Sequence, residues 1–210
     1  MKGLQNVLFG IKRNTMALQS ERELPGKLDS WQVLQEQDEI NNPWIRVRNV
    51  TFLLPNGDEM KDYFIVEKPS VVIVIPIREG KTFLIREYER GVAEVGHKFP
   101  AGRLGAREDP VQAADREFRE ELGMCVQRLI PLGERYVEPG FMTTRCHYFL
   151  GLDLIEIPEG KEDNPFELFE GEWVDFSSLG PLIASGEIKN PFVIVGYTLA
   201  SMELKKAGLI

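Results

Sequence analysis

The stretch Gly102–Met124, GRLGAREDPVQAADREFREELGM, contains the most clearly marked helix of the chain. Asp109 is suited to the N-cap because its short side chain can accept hydrogen bonds from the first free amides. Pro110 fits the first helical position, where its missing N–H costs nothing. Good helix formers follow, and Gly123 can end the helix in a left-handed conformation. The sequence therefore predicts a helix that begins at Pro110 and ends before Gly123.

Three glutamates of this helix are grouped on one of its faces. Glu117 and Glu121 lie four residues apart and point the same way, with Glu120 beside them. Like charges at this spacing destabilise a helix by roughly 0.2–0.5 kcal/mol per pair. A solvated acidic face tolerates that cost, but grouped carboxylates also make an oxygen-rich site for a divalent cation such as Mg2+ or Mn2+. The opposite face is predicted to pack on a core through Val111, Ala114, Phe118 and Leu122.

The spacing around the helix favours the metal site over the solvated face. Gly102 is followed after five residues by Glu108, and after seven more by the run Arg116–Met124. This matches the Nudix box, G-x5-E-x7-R-E-U-x-E-E-x-G-U, where U is an aliphatic or bulky apolar residue. With glycine at a frequency of ~7%, chance agreement at the fixed positions is on the order of 10^-8 per starting point. The chain resembles the Nudix hydrolases in this motif.

The resemblance implies a role for each residue of the motif. Glu117 and Glu121 would be the principal ligands of Mg2+ or Mn2+. Glu120 would be a catalytic residue, as a further ligand or a hydrogen-bond partner, and the backbone carbonyl of Ala101 would complete the shell. Arg116 would hold the neighbouring carboxylates in register; the alternative is an ordinary helical ion pair with Glu120. Structural roles would fall to Gly102, Glu108 and Gly123.

Composition limits the functional classes. The 210 residues, 43% of them hydrophobic, suffice for one domain with a small appendage. A net charge of −8 and the absence of a basic tract argue against nucleic-acid binding. The two cysteines, Cys125 and Cys146, form no CxxC motif, which predicts reduced thiols in a cytoplasmic protein. Neither a signal peptide nor a membrane contact is expected, because no stretch approaches the ~20 apolar residues of a spanning helix.

The N-terminal third is predicted to form an extension. Two extended runs between residues 44 and 68 flank the turn sequence Pro55-Asn56-Gly57-Asp58, which predicts a β-hairpin. Residues 20–39 before it are interpreted as a loop with a short helix. We assign residues 1–68 to this extension and residues 69–210 to the main domain.

Strands and helices alternate in the main domain. Ser70–Pro76 reads as a buried central strand and Lys81–Tyr88 as its partner, and three more strands are expected after the acidic helix. Ser177 or Ser178 is predicted to cap one further helix, and Asn190-Pro191 to open the last. This order indicates an α/β layered fold. The resemblance sharpens it to the Nudix α/β/α sandwich around a mixed β-sheet.

Three features outside the box resemble the ADP-ribose pyrophosphatase subgroup. They are Pro139, fifteen residues beyond Met124, the run Phe99–Gly102 that leads into the box, and the run Ser185–Lys189 before the last helix. The resemblance implies hydrolysis of ADP-ribose, or a related nucleoside diphosphate sugar, to AMP and a sugar phosphate. It also implies a homodimer formed through the N-terminal extension, with the nucleoside bound across the interface.

The contacts to substrate and the catalytic base are open. Arg86 is expected at a strand end, where it would bind phosphate or form a surface ion pair. Pro139 belongs to the subgroup's pattern, and adenine could stack on Trp44, Phe141 or Tyr88, unless these rings belong to the core. The acidic loop of residues 158–172 is expected to supply the base, either Glu162 or Glu167, unless it is a solvated run of charge.

Two departures from the subgroup's pattern widen the range of substrates. Glu89 stands where a second arginine is common, and Lys98 stands where a glutamate often precedes the Pro-Ala-Gly sequence. Other substrates are therefore open: NADH, GDP-mannose, dinucleoside polyphosphates and nucleoside triphosphates. A non-catalytic sensor of nucleotide-sugars is the alternative from another class.

Overall fold

The structure is a computed structural model that describes residues 30–158 and 168–210. Its elements, in chain order, are β1 (Gln32–Asn42), β2 (Ile45–Leu53), β3 (Glu59–Glu67), β4 (Val71–Arg78), β5 (Lys81–Glu89), β6 (Glu94–Lys98), β7 (Ala101–Arg103), α1 (Pro110–Leu122), β8 (Met124–Tyr136), β9 (Arg145–Glu156), β10 (Phe169–Asp175), a 3-10 turn (Phe176–Ser178), α2 (Leu179–Ala184) and α3 (Pro191–Lys206).

A seven-stranded mixed sheet forms the main domain. Its strands run in the order β10-β5-β4-β9-β8, with β6 paired to β5 and β7 paired to β4. Strands β4 and β9 are parallel, whereas β5 pairs antiparallel with β4, β6 and β10. The prediction of a mixed sheet is confirmed. The short strands β6 and β7, which lead directly into the acidic helix, were not predicted.

Strand β4 shows why helices cover both faces of this sheet. Successive side chains of a strand point to opposite faces. Val72 and Val74 therefore pack with Phe118 of α1, while Ile73 and Ile75 lie in a separate core with residues of α2 and α3. These side chains are almost fully buried. The α/β/α sandwich is confirmed.

Helix α1 has the predicted ends. The Asp109 side chain accepts hydrogen bonds from the N–H groups of Val111 and Gln112, and Gly123 has a φ of 65°. The predicted apolar stripe was wrong at its first position, because Val111 is 44% exposed and Ala113 is buried in its place. The packed face is therefore turned toward Ala113, and it brings Glu121 into the interior with only 5% of its surface exposed.

The predicted hairpin is confirmed as β2 and β3, with Gly57 in a left-handed conformation at the turn. A third strand, β1, completes a three-stranded sheet in the order β1-β2-β3. The interpretation of residues 20–39 as a loop with a short helix was wrong from Gln32 onward, where β1 begins, and residues 20–29 lie outside the described residues. The sequence QVLQEQDEINN gives no regular alternation of apolar residues, and all eleven side chains of β1 are exposed.

By compactness, the described residues fall into two units. Residues 30–37 and 49–63 belong to one, and Asp38–Arg48 with Phe64–Ile210 belong to the other. The division of the chain at residue 68 stays a prediction.

The C-terminal helices begin as predicted, with one difference in capping. The Asn190 side chain accepts a hydrogen bond from the Phe192 N–H at the start of α3. Ser178 stands at the N-cap of α2, but its hydroxyl donates to the Asp175 carbonyl instead of capping the helix. Both cysteines are free. In the described parts of the chain, no helix is long and apolar enough to cross a membrane.

Candidate active site

Helix α1 presents its glutamates to a cavity of about 620 Å3. The cavity lies among β5, β6, β7, α1 and the start of α3, and Ala101 and Gly102 of β7 form part of its wall. The structure therefore brings together all four predicted metal ligands, which are Ala101, Glu117, Glu120 and Glu121.

Glu121 is the most buried carboxylate of the site. Its Oε2 accepts a hydrogen bond of 2.9 Å from the Ala101 N–H, and its Oε1 lies 3.4 Å from the Lys98 Nζ. Burial raises the pKa of Glu121 to about 7, although Lys98 and the Ala101 amide both act to lower it. This carboxylate is thus held by two donors in a place where its charge is poorly solvated.

Glu117 lies against the backbone of Gly102. A Cβ atom added to Gly102 would come within 1.8 Å of the Glu117 Cδ and 1.9 Å of its Oε2. No side chain fits there unless Glu117 moves. The glycine that opens the motif therefore leaves room for the Glu117 carboxylate, which any side chain at that point would displace.

Arg116 joins three carboxylates. Its Nη1 donates to Glu117 Oε1 at 2.7 Å and to Glu120 Oε2 at 3.1 Å. Its Nε and Nη2 bind Glu108 at 2.8 and 3.0 Å, and Nη2 also reaches the Arg103 carbonyl at 3.1 Å. The hydrogen bonds that Arg116 donates to Glu108 raise the pKa of Arg116 above its ordinary value. Arg116 makes the contacts that a residue holding the carboxylates in register would need.

Glu108 anchors this network outside the cavity. Besides Arg116, it accepts a 2.9 Å hydrogen bond from the Gly105 N–H. The hydrogen bonds from Arg116 and Gly105 lower the pKa of Glu108 to about 2. Glu108 therefore stays charged and keeps the loop before α1 tied to the helix.

Five further charged residues of the cavity wall were missed as functional candidates: Glu87, Glu89, Arg90, Lys98 and Arg103. Lys98, at the end of β6, lies 2.5 Å from Glu87 of β5 and 3.4 Å from Glu121. The sequence marked Lys98 only as a departure from a pattern. Its partners lie 11 and 23 positions away in the chain, so no local spacing could reveal the contact.

The carboxylates of the site form ion pairs with two cations, Arg116 and Lys98. Glu117 and Glu120 share Arg116, while Glu121 and Glu87 share Lys98. In residues 30–158 and 168–210, no three His, Cys, Asp or Glu side chains are grouped as a ready metal site. The donor set nevertheless suits a hard divalent ion, since carboxylate oxygens line the cavity beside the backbone of Ala101. The space that Gly102 leaves open is filled by one of these carboxylates.

The predicted substrate contacts lie outside the cavity wall. Arg86 is inside β5 and not at its end, and it lies 3.7 Å from Glu170 of β10, which is the surface ion pair. Trp44 and Tyr88 are 60% and 53% exposed, so the alternative that these two rings belong to the core was wrong. The Trp44 ring stacks on Arg103, whose Cζ is 4.0 Å from the ring centre, and Arg103 does line the cavity.

The remaining predicted residues lie in the connections after β8 and β9. Pro139 is exposed, Phe141 is 38% exposed, and the Phe141 carbonyl accepts a hydrogen bond from the Val66 N–H. Glu162 and Glu167, the candidates for the catalytic base, lie outside the described residues.

Known proteins resemble this chain in sequence and in fold. The NUDIX domain family matches residues 67–193. The ADP-ribose pyrophosphatase of Bacillus subtilis (strain 168) is 30% identical over 155 residues, 73% of this chain and 82% of that enzyme. The methanol dehydrogenase activator of Bacillus methanolicus is 29% identical over 155 residues, 73% and 80% of the two chains. A crystal structure of an ADP compounds hydrolase, 22% identical, aligns with a TM-score of 0.77 over 88% of this chain and 99% of that one, a likeness of fold alone.

Proposed function

This chain belongs to the Nudix family, and we propose that it is a Mg2+-dependent enzyme that hydrolyses ADP-ribose or a related nucleoside diphosphate sugar. The observation that carries the proposal is the group of motif carboxylates on one wall of the cavity, with the Ala101 backbone beside them. Water would attack one phosphorus of the pyrophosphate and the bridging P–O bond would break. With ADP-ribose, the products would be AMP and ribose 5-phosphate.

Glu117, Glu120, Glu121 and the Ala101 carbonyl would hold Mg2+, or Mn2+ in its place. A bound divalent ion would supply the positive charge that a pyrophosphate needs and make a nearby water more acidic. Arg116 supports this role by fixing Glu117 and Glu120 on one guanidinium nitrogen. The Ala101 N–H does the same for Glu121. The catalytic base is proposed to come from the acidic loop, as Glu162 or Glu167.

The preference for ADP-ribose rests on similarity. The Bacillus subtilis relative is named for this substrate, and the sequence around Pro139 and Phe99–Gly102 resembles the same subgroup. Arg86, Trp44, Pro139 and Phe141 are proposed to contact substrate. Their exposure suits a homodimer in which a second copy completes the nucleoside site. A cytoplasmic location stays a prediction from the two unpaired cysteines.

Two substitutions test the metal site. Glu117→Gln and Glu121→Gln should each lower turnover of ADP-ribose by about 100-fold or more, because each replaces a charged ligand with a neutral amide of similar shape. Circular dichroism and the melting temperature should show that both variants are folded. The matched control is Glu203→Gln, which removes a surface ion pair with Lys206 and should leave turnover unchanged. Wild-type turnover in both site variants would contradict the metal assignment.

The substrate is tested by a hydrolysis screen with Mg2+. ADP-ribose is compared with ADP-glucose, NADH, diadenosine polyphosphates, GDP-mannose and nucleoside triphosphates, and the products are separated by chromatography. We expect ADP-ribose to give the highest kcat/KM and to yield AMP. Release of inorganic pyrophosphate from a nucleoside triphosphate as the fastest reaction would replace ADP-ribose with that substrate class.

A sensor of nucleotide-sugars is the second candidate. The observation in its favour is that Arg116 and Lys98 already form ion pairs with the carboxylates of the cavity. Calorimetry of ADP-ribose with saturating Mg2+ separates the two functions. A sensor would bind the intact molecule without turnover, whereas the enzyme would consume it.

A further inference from the structure

The ammonium group of Lys98 lies inside the candidate metal site. Its Nζ is 2.5 Å from Glu87 Oε2 and 3.4 Å from Glu121 Oε1, and the Phe169 ring centre lies 5.9 Å away. The three side chains of this ion pair network are 22%, 14% and 5% exposed for Lys98, Glu87 and Glu121. A single positive charge therefore sits between two carboxylates that water barely reaches.

Three separate elements build this arrangement. Glu87 comes from β5, Lys98 from β6 and Glu121 from α1. Lys98 pairs with Ile85 in the β5–β6 ladder, which places its side chain close to Glu87 on the neighbouring strand. The Lys98 Nζ therefore lies within reach of one carboxylate oxygen from a neighbouring strand and one from the helix.

We propose that Lys98 is a positioning residue whose ammonium takes the place of one divalent ion between Glu87 and Glu121. This inference rests on the proposed function, since it concerns the metal content of that site. Both carboxylates have an oxygen within 3.4 Å of the same point. A divalent ion there would need oxygens at about 2.1 Å, which small movements of two long side chains would provide. Lys98 would thereby limit the number of ions that the cavity accepts.

The proposal also accounts for a departure in the sequence. Lys98 stands where the resemblance to the ADP-ribose pyrophosphatase subgroup leads one to expect a glutamate. A glutamate there would leave three carboxylates close together, and their repulsion would require added positive charge. With lysine, the protein supplies that charge itself. The fixed ammonium of Lys98 would therefore replace one dissociable metal ion, and the sign of the local charge would stay the same.

The test counts the Mn2+ ions bound per chain. Mn2+ is added to metal-free protein, and electron paramagnetic resonance measures the ion that remains free, which gives the bound number by difference. Lys98→Met should bind one Mn2+ more than the wild type. The double variant Lys98→Met/Glu87→Gln should return to the wild-type number, because it lacks one of the two new ligands. Lys98→Arg keeps the charge and should also bind the wild-type number. Lys206→Met, which removes a surface lysine paired with Glu203, is the control.

A second measurement follows the melting temperature with and without Mn2+. Removal of Lys98 leaves two buried carboxylates facing each other, so Lys98→Met should melt well below the wild type in EDTA and regain more on addition of Mn2+. If the variant is recovered only with Mn2+, the ions retained after desalting are counted instead.

The outcomes separate this inference from the proposed function. An unchanged ion count in Lys98→Met, or a variant that Mn2+ does not stabilise, overturns the role of Lys98 while leaving the metal site of the wild type intact. A wild type that binds no Mn2+ at all overturns the metal site itself. A raised KM for substrate with an unchanged ion count would assign Lys98 to phosphate binding and would also overturn the proposal.

Discussion

The two ends of helix α1 use the same chemistry in opposite surroundings. Near the start of the helix, Glu108 faces Arg116 at a partly exposed position, and the pKa of Glu108 is lowered to about 2. At the last turn, Glu121 faces Lys98 in the interior, and the pKa of Glu121 is raised to about 7. Each carboxylate has a cation and a backbone N–H as partners. Only burial differs enough to reverse the direction of the shift.

This difference indicates two roles for one helix. At the exposed end, the favourable hydrogen bonds outweigh the small loss of hydration, so the pair fixes the loop to the helix. At the buried end, the loss of hydration outweighs two donors, so the carboxylate carries unfavourable energy in the absence of a stronger cation. A divalent ion would relieve that cost. The buried end of α1, where the Glu121 charge is poorly solvated, is therefore the end suited to binding a divalent ion.

The largest expected difference concerns stability without metal. The pKa of Glu121 is about 7 when folded against an ordinary 4.5, so the folded state binds more protons between these values. Stability should then fall as pH rises from 4.5 to 7, by roughly 3 kcal/mol for this group. Urea unfolding in EDTA between pH 4 and 8 measures it.

Glu121→Gln provides the matched comparison for this pH dependence. The amide does not titrate, so its free energy of unfolding should lack the Glu121 contribution and lie above that of the wild type at pH 8. Adding Mg2+ to the wild type at pH 8 should recover the lost stability. Parallel pH profiles of the two proteins in EDTA would show that burial of Glu121 does not govern this end of the helix.

The next effect in size concerns the fit of Glu117 against the backbone. Gly102→Ala would place a Cβ within 1.8 Å of the Glu117 carboxyl carbon, so the carboxylate must move. We expect Mn2+ affinity to fall by roughly 10–100-fold, in the range seen when the support of a metal ligand is removed. Gly91→Ala is the control, because nothing lies within 4 Å of a Cβ at that position. Equal Mn2+ affinity of both variants would contradict the close fit.

The parts of the fold predicted from sequence are those with local signals. Asp109, Pro110 and Gly123 act on amides and carbonyls within four residues, so the ends of α1 could be read directly. The hairpin turn around Gly57 is equally local. Strand β1 was missed because its sequence lacks the alternation of apolar residues that identifies a strand. Its pairing with β2, which the sequence does not show, is what makes it a strand.

The candidate site divides in the same way. The motif spacing identified the carboxylates of α1, since a helix places residues three and four apart on one face. The environment of each carboxylate depends on distant elements, as with Lys98 of β6 beside Glu121. The position of Val111 was wrong for a related reason: periodicity gives an apolar stripe, but the sheet decides which residues of that stripe it covers.

The smallest expected effect concerns the exposed pair. Glu108→Gln should weaken the bidentate contact with Arg116 and lower turnover by less than about tenfold, since Glu108 lies outside the cavity and acts through Arg116. The stabilisation from Glu108 is present above pH 4.5 and is lost as pH falls toward 2, because its folded pKa is depressed. The variant should therefore be less stable than the wild type at pH 6, and the two should converge in acid. Urea unfolding at pH 6 and pH 3 checks this, with Glu203→Gln as the control for loss of a surface ion pair. A variant that is more stable than the wild type at pH 6 would show that this pair behaves like the buried one, and the contrast between the two ends of α1 would fail.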